Sequence, residues 1–374
     1  MKNRWTDLDH HLMAEAISLA RKGQTRVEPN PAVGAVIAHS NAIIGRGYHR
    51  RFACAHAEVE AINDALAKGY DLRGATMYVT LEPCCHIGKT PPCVDAIIRE
   101  GISRVVAAVK DPSDKVKGKG IRTLRKAGIR VDVGLLSQEA QAINAWFFKV
   151  HETNRPWVIG KWAQTLDGKL ACSTGDSQWI SSSPSRKQVH KLRRSVQAIV
   201  TGIGTVSRDD PELTVRLVRP SPAGPPLRVV LDAELRTRPD SNLVRSAIKV
   251  PTIIYTSEKA SSVRKRKLEA GNCQIRCVRS VRGCLDLQQV IDELGQMGVA
   301  RVLVEAGPRL LSSFLAADLF DEIIVFQSPT FALDHRALQL AGRELRRISD
   351  LLVGFRFDRV QRAGDDIMLV LQRR

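Results

Sequence analysis

At 374 residues the chain exceeds the size at which a single hydrophobic core stops growing, so two domains are the expectation. Apolar residues make up 44% of it, broken everywhere by turns and charges, and no run reaches the roughly twenty that a bilayer crossing needs. A net charge of +18 attracts phosphates, but the basic residues are scattered. The densest cluster, Arg264-Lys265-Arg266-Lys267, has no interleaved aromatics, which argues for a solvated helix face and against a nucleic-acid partner.

The opening residues mix Lys2, Arg4, Asp7 and Asp9 without the apolar centre of a secretory signal, so a cytoplasmic protein is expected. Leu12, Met13, Ala16, Ile17, Leu19 and Ala20 recur at helical spacing and stop at Gly23, which predicts an amphipathic helix over 10–22. Apolar runs over 33–38 and 42–45, separated by His39-Ser40-Asn41, predict a hairpin or a tight strand connection. A helix over 57–68, a strand over 76–81, a helix over 92–100 and a strand over 104–109 follow. A helical stretch with Ala140, Ile143, Trp146 and Phe147 then runs into the polar break Thr153-Asn154-Arg155-Pro156. The domains are expected to divide near this point, as residues 1–148 and 149–374. Beyond it, strands over 157–162, 198–201, 228–231, 252–255, 301–304 and 322–326 alternate with helical patterns. That alternation predicts an α/β fold with a mostly parallel sheet and helices on both faces.

Eight cysteines in a chain read as cytoplasmic point to metal binding or packing rather than disulfides. Cys172, Cys273, Cys277 and Cys284 are dispersed and read as burial or chance. The others cluster. His56-Ala57-Glu58 at a helix start, Cys84 after a strand and Cys93 after Pro91-Pro92 combine one imidazole with two thiolates. This set binds zinc while keeping a fourth position open for chemistry. A helix start at Cys93 favours the thiolate. Glu58 lies two residues from His56, so both can line a pocket at the first helical turn, one holding metal and the other moving protons. Singly, these residues read as a capped helix start and buried thiols; their joint order and spacing favour the metal. Cys54, Cys85 and His86 stand outside the spacing.

Asn30-Pro31-Ala32-Val33-Gly34, His56-Ala57-Glu58 and Glu82-Pro83-Cys84-Cys85-His86-Ile87-Gly88-Lys89-Thr90-Pro91-Pro92-Cys93 resemble the deaminase half of the bifunctional riboflavin-biosynthesis deaminase/reductase family. Nucleic-acid deaminases place a shorter loop between their cysteines. The resemblance implies zinc on His56, Cys84 and Cys93, with Glu58 catalytic. It further implies Asn30 and His49 at the pyrimidine end of the substrate and Lys89 and Asp111 on its ribosyl phosphate side. Ser113, in Asp111-Pro112-Ser113-Asp114, stands where the family usually has an Asn contact.

In the second half, Lys161-Trp162-Ala163-Gln164-Thr165-Leu166-Asp167-Gly168-Lys169, Gly202-Ile203-Gly204-Thr205-Val206 and Glu305-Ala306-Gly307-Pro308 place glycines after strands, where backbone N–H groups can approach a phosphate. No Gly-x-Gly-x-x-Gly fingerprint is present, so the ordinary dinucleotide fold is not indicated. With Gly175-Asp176-Ser177-Gln178-Trp179-Ile180 and the stretch from Asp209 to Arg216, these segments resemble the reductase domain of the same family, which is similar to dihydrofolate reductase. The resemblance implies NADPH on Ala163, Trp179, Thr205, Asp209, Gly307, Pro308 and Arg309, and substrate on Ser177, Arg193, Leu213, Arg216 and Glu305. Lys161 and Glu305 are the proton-handling candidates, with an ion pair closing two strand ends as the plain alternative. Ser328-Pro329-Thr330-Phe331-Ala332-Leu333-Asp334 replaces a glycine-bearing segment of the family, and reductase activity is expected to be retained.

The expectation is a cytidine-deaminase-like three-layer domain followed by a dihydrofolate-reductase-like α/β domain. Together they would carry out zinc-dependent deamination of a phosphorylated pyrimidine and then NADPH-dependent reduction of its ribosyl unit. No membrane partner is expected, and a homo-oligomer is left open. An RNA-binding zinc deaminase is the competing reading, opposed by the long spacing from Cys84 to Cys93 and by the second domain.

Overall fold

Thr6 starts helix α1 (Asp7–Gly23) with a reciprocal cap: its hydroxyl accepts from the Asp9 N–H, and Asp9 accepts from the Thr6 N–H. The helix therefore begins before its apolar periodicity does. The computed structural model describes residues 5–24, 26–87, 91–281, 283–340 and 354–374. The chain forms two units, Met1–Thr153 and Asn154–Arg374.

In the first unit α1 is followed by β1 (Gly34–His39), β2 (Ala42–Tyr48), α2 (Ala57–Ala67), β3 (Thr76–Val79), α3 (Cys93–Arg99), β4 (Arg104–Ala107), α4 (Lys119–Lys126), β5 (Arg130–Val133), α5 (Ser137–Ile143) and α6 (Ala145–Thr153). The sheet order is β2-β1-β3-β4-β5. β1 pairs antiparallel with β2 and β3, whereas β3, β4 and β5 run parallel. Alternate residues of β1 face opposite sides. Ala35 and Ile37 pack with Ala61, Ile62, Val94 and Ile97 of α2 and α3, while a side chain at Gly34 would strike the Ala16 carbonyl of α1. Helices thus cover both faces, giving three layers. Gly47 brings β2 against the start of α2, since an added Cβ would lie 2.2 Å from the Ala57 carbonyl oxygen.

The second unit contains β6 (Trp157–Gln164), α7 (Ser183–Arg194), β7 (Ala198–Gly202), α8 (Ile203–Asp209), β8 (Leu227–Leu231), α9 (Asn242–Arg245), β9 (Thr252–Ser257), α10 (Ser262–Ala270), β10 (Gln274–Val278), β11 (Ser280–Val281), β12 (Cys284–Leu285), α11 (Leu287–Gln296), β13 (Arg301–Glu305), α12 (Pro308–Ala316), β14 (Glu322–Gln327), β15 (Phe355–Ala363) and β16 (Asp366–Arg373). Its main sheet runs β10-β9-β8-β7-β13-β6-β14-β16-β15. The seven strands from β10 to β14 are parallel, and β16 and β15 add an antiparallel edge. The central strands read as continuous apolar runs because both faces are buried. Val200, Val229, Val302 and Val304 pack under α11 and α12, and Ile199, Val230, Ile254 and Leu303 pack under α7, α9 and α10.

Strands β5, β10, β15 and β16 were not expected from the sequence. All four are edge or near-edge strands; polar content hides the apolar signal of β5, β10 and β15, whereas β16 carries an apolar run, Ile367 to Leu371, that was not assigned to a strand. Arg264, Arg266 and Lys267 lie exposed on α10, as a solvated face requires. Among the described residues no helix is long and apolar enough to cross a membrane. Asp167 holds the segment that departs from the family, accepting from the N–H groups of Ala332 and Leu333 at 3.1 and 3.0 Å.

Candidate functional site

In the first unit the chain brings one strand exit and two helix starts together. His56 caps α2, Cys93 opens α3, and Cys84 lies just beyond β3. The Nδ1 of His56 is 3.5 Å from the Cys84 sulfur and 3.3 Å from the Cys93 sulfur, and the Cys93 N–H donates to Cys84 at 3.3 Å. The three ligand atoms lie within 4.8 Å of one another. A soft-donor set of one nitrogen and two sulfurs at this spacing fits zinc. The hydrogen bond from Cys93 and the neighbouring imidazole hold the Cys84 thiol down to about 4. Cys93 is pushed up as the sulfur that keeps the shared proton, and hydrogen bonding to Cys84 raises His56. Glu58, 3% exposed, is raised to about 7 by burial and then by the charge of Cys84.

Around this cluster, His49 stands edge-on to His56 with ring centroids 5.3 Å apart. Its Nδ1 is 3.0 Å from the Ala55 carbonyl, which only accepts, so Nδ1 donates and Nε2 accepts from the Asn30 amide at 3.3 Å. Asn30 and His49 therefore reach the metal cluster as a linked pair. Asn144, not singled out by the sequence, fixes their loop by bonding both the N–H and the carbonyl of Ala32 at 2.8 Å. Asp111 is buried and raised to about 6 by desolvation. Its loop is held by Glu82, whose carboxylate accepts from the N–H groups of Asp111, Gly118 and Ile121. Glu82 falls within the recognised motif, but nothing local signals this role. Lys89 lies outside the described residues.

The second unit holds a cavity of about 1560 Å³. It opens beside the carboxyl ends of adjacent β7, β13 and β6, where ligands bind in open α/β sheets. Lys161, Ala163, Ser177, Trp179, Arg193, Thr205, Asp209, Leu213, Arg216, Glu305, Gly307, Pro308 and Arg309 all line it. Lys161 and Glu305 are register partners of β6 and β13 and stand 3.9 Å apart. Arg193 completes the group, donating through Nε and Nη2 to the two carboxylate oxygens at 2.7 and 2.9 Å and through Nη1 to the Thr214 carbonyl. Burial alone would raise Glu305, but the guanidinium holds it down to about 2. Desolvation lowers Lys161 against the pull of Glu305. An added Cβ at Gly204 would meet nothing within 4 Å, and one at Gly307 only the Thr205 hydroxyl at 4.0 Å. Both glycines thus border open space in the cavity, where no side chain of their own stands between the backbone and a ligand. Arg186, stacked 4.6 Å over the 68% exposed Trp179, and His190 also line the cavity; sequence spacing had not marked either.

Residues 6–109 match the cytidine and deoxycytidylate deaminase zinc-binding region, and residues 156–369 match the RibD C-terminal domain. The riboflavin biosynthesis protein RibD of Aquifex aeolicus is 42% identical over 367 residues, covering 98% of this chain and 99% of its own. Among solved structures, Acinetobacter baumannii RibD is 33% identical with a TM-score of 0.80, covering 98% of this chain and 99% of that one. The Thermotoga maritima diaminohydroxyphosphoribosylaminopyrimidine deaminase/5-amino-6-(5-phosphoribosylamino)uracil reductase is 34% identical with a TM-score of 0.77 at the same coverage. The zinc-type deaminase fold of the first unit and the reductase fold of the second are those of these relatives. With both halves matched along nearly the full length of each chain, the protein belongs to the RibD family of riboflavin biosynthesis proteins.

Proposed function

We propose that the chain carries out two consecutive steps of riboflavin biosynthesis. The first is hydrolytic deamination of 2,5-diamino-6-ribosylamino-4(3H)-pyrimidinone 5′-phosphate in the Met1–Thr153 unit. The second is NADPH-dependent reduction of the ribosyl to the ribityl side chain in the Asn154–Arg374 unit. The observation that carries the reading is the convergence of His56, Cys84 and Cys93 beside a buried carboxyl, in a chain whose other unit gathers Lys161, Arg193 and Glu305 at one cavity.

His56, Cys84 and Cys93 would hold zinc, whose Lewis acidity would make water acidic enough to serve as the nucleophile. Glu58 moves the protons. With its carboxyl raised to about 7, it can carry one proton from the attacking water to the ring nitrogen and then the second, from the hydroxyl that the attack leaves on carbon, to the departing ammonia. Asn30 and His49 orient the pyrimidine. The loop built on Glu82 presents Asp111 towards the ribosyl phosphate side.

Ala163, Trp179, Thr205, Asp209 and the Gly307, Pro308 and Arg309 loop would hold NADPH, which would supply the hydride for the ribosyl carbon. Glu305 is held ionised by Arg193, so it is an anchor rather than an acid. The mobile proton belongs to Lys161, whose depressed ammonium can release it to the imine nitrogen. Ser177, Leu213 and Arg216 line the substrate side of the cavity. All eight cysteines are free, the state that a reducing cytoplasm maintains.

The test is incubation with the diaminopyrimidine ribosyl phosphate, with and without NADPH, following ammonia and nicotinamide absorbance. Ammonia should appear in both mixtures, and NADPH should be oxidised only after it does. Ammonia release without zinc, or no oxidation in the complete mixture, would overturn the corresponding half.

A further inference from the structure

The cavity wall formed by α7 and residues 210–216 carries a group that the proton-handling pair does not use. His190 is buried in α7, three residues before Arg193, and lines the cavity. Its Nδ1 is 3.0 Å from the backbone N–H of Arg216. A backbone N–H only donates, so Nδ1 accepts, the ring is neutral, and its single proton sits on Nε2. Burial and the charges of Arg193 and Arg216 act in the same direction, holding the ring down to about 4. Among the described residues His190 bonds only through Nδ1, and Nε2 is not sealed from solvent, since the residue lines the cavity. An N–H open to the cavity is free to donate to a ligand oxygen in exchange for water.

The neighbouring guanidinium groups indicate which ligand atom. Arg193 is committed to Glu305 and Thr214, Arg216 pairs with Glu212, and Arg186 bonds the Ser181 carbonyl while stacking on Trp179. Arg193 spends all three nitrogens on protein acceptors, whereas Arg216 and Arg186 each spend Nη1 alone, so together they make the wall electropositive and rich in donors. His190 adds a neutral, directional donor to a field that attracts an anion.

We propose that His190 is a substrate-contact residue of the reductase, donating its Nε2–H to a phosphate oxygen of the phosphoribosyl ligand while the Arg216 N–H holds the ring in orientation. This rests on the phosphoribosyl reading of the second unit.

Two near-isosteres separate contact from scaffolding. His190→Asn keeps an acceptor near Nδ1 and removes the outer donor; His190→Gln keeps a donor near Nε2 and removes the inner acceptor. Calorimetry with ribose 5-phosphate, unphosphorylated ribose and NADPH on the full chain reads binding, alongside steady-state reduction. Losing one hydrogen bond to a charged group predicts about 10- to 100-fold weaker ribose 5-phosphate binding and a raised substrate KM in His190→Asn, with NADPH affinity within about twofold. His190→Gln should retain most of the affinity. An unchanged His190→Asn, or a greater loss in His190→Gln, overturns the proposal and makes His190 a scaffold for residues 210–216. An equal loss for unphosphorylated ribose overturns the assignment to the phosphate. If the wild-type chain oxidises no NADPH, the reductase reading falls, while the binding ratio of the two variants still decides the contact.

Discussion

Replacing Glu305 by Gln removes one charge with almost no change of shape, at the point where β6, β13 and α7 meet. The Glu305 side chain is 10% exposed, between Arg193 and Lys161. Its carboxyl is lowered from 4.5 to about 2, which at about 1.4 kcal/mol per pH unit corresponds to about 3 kcal/mol. Removing one member of a buried pair costs about 3–5 kcal/mol, because the partner is left as an uncompensated charge. The two magnitudes agree. For a unit of this size, about 3 kcal/mol lowers the melting temperature by about 6–12 °C. The sign follows from the direction of the shift: a depressed carboxylate stabilises fully above pH 4.5 and loses its contribution as pH falls towards 2. Scanning calorimetry of the full chain from neutral to acid pH should show the Glu305→Gln deficit shrinking over that window. With the deaminated intermediate, NADPH oxidation should fall by about 100-fold or more, and ammonia release from the first substrate should persist. A melting temperature within about 1 °C of wild type, with oxidation within about twofold, would refute an ion cluster that both stabilises the unit and sets the state of Lys161.

Glu58→Gln should cut ammonia release by about 10²- to 10⁴-fold while metal analysis still finds one zinc per chain; loss of the zinc would make Glu58 part of the binding set instead. Asp111→Asn should weaken deamination yet raise the melting temperature at neutral pH. A carboxyl raised from 3.8 to about 6 by burial penalises the folded state increasingly as pH climbs between those values and in full above them, so the gain should vanish below about pH 4. A gain that persists in acid would sink that account. Gly47→Ala forces a Cβ to 2.2 Å from the Ala57 carbonyl; it should cost about 1–3 kcal/mol in calorimetry and displace the α2 start that carries His56, lowering zinc affinity. Unchanged zinc titration in this variant would show that the helix start is positioned by something else.

Helix α1, the central strands of the second unit and the hairpin of β1 and β2 were legible because burial on one or both faces writes a period into the sequence. The antiparallel edge strand β15 was not, since its exposed residues are rich in charges; its neighbour β16 carries the apolar run Ile367 to Leu371 and was missed for want of a recognisable partner strand. The metal set was legible for a different reason: zinc demands particular donor atoms, and few arrangements of histidine and cysteine supply them. Glu82 and Asn144 gave no such signal. They act through backbone N–H and carbonyl groups of Asp111, Gly118, Ile121 and Ala32, and backbone groups are the same in every residue.

By itself the sequence determined the inventory of chemistry: an imidazole, two thiols and a carboxyl in one half, and a lysine and a glutamate at strand ends in the other. It could do so because reactive atoms belong to residue types. Only the tertiary structure decided which groups share a state. The parallel register that sets Lys161 opposite Glu305 and the helix that delivers Arg193 to both carboxylate oxygens hold Glu305 as an anion beside a buried lysine. Charge state depends on distance and burial, and both arise from pairing between segments far apart along the chain.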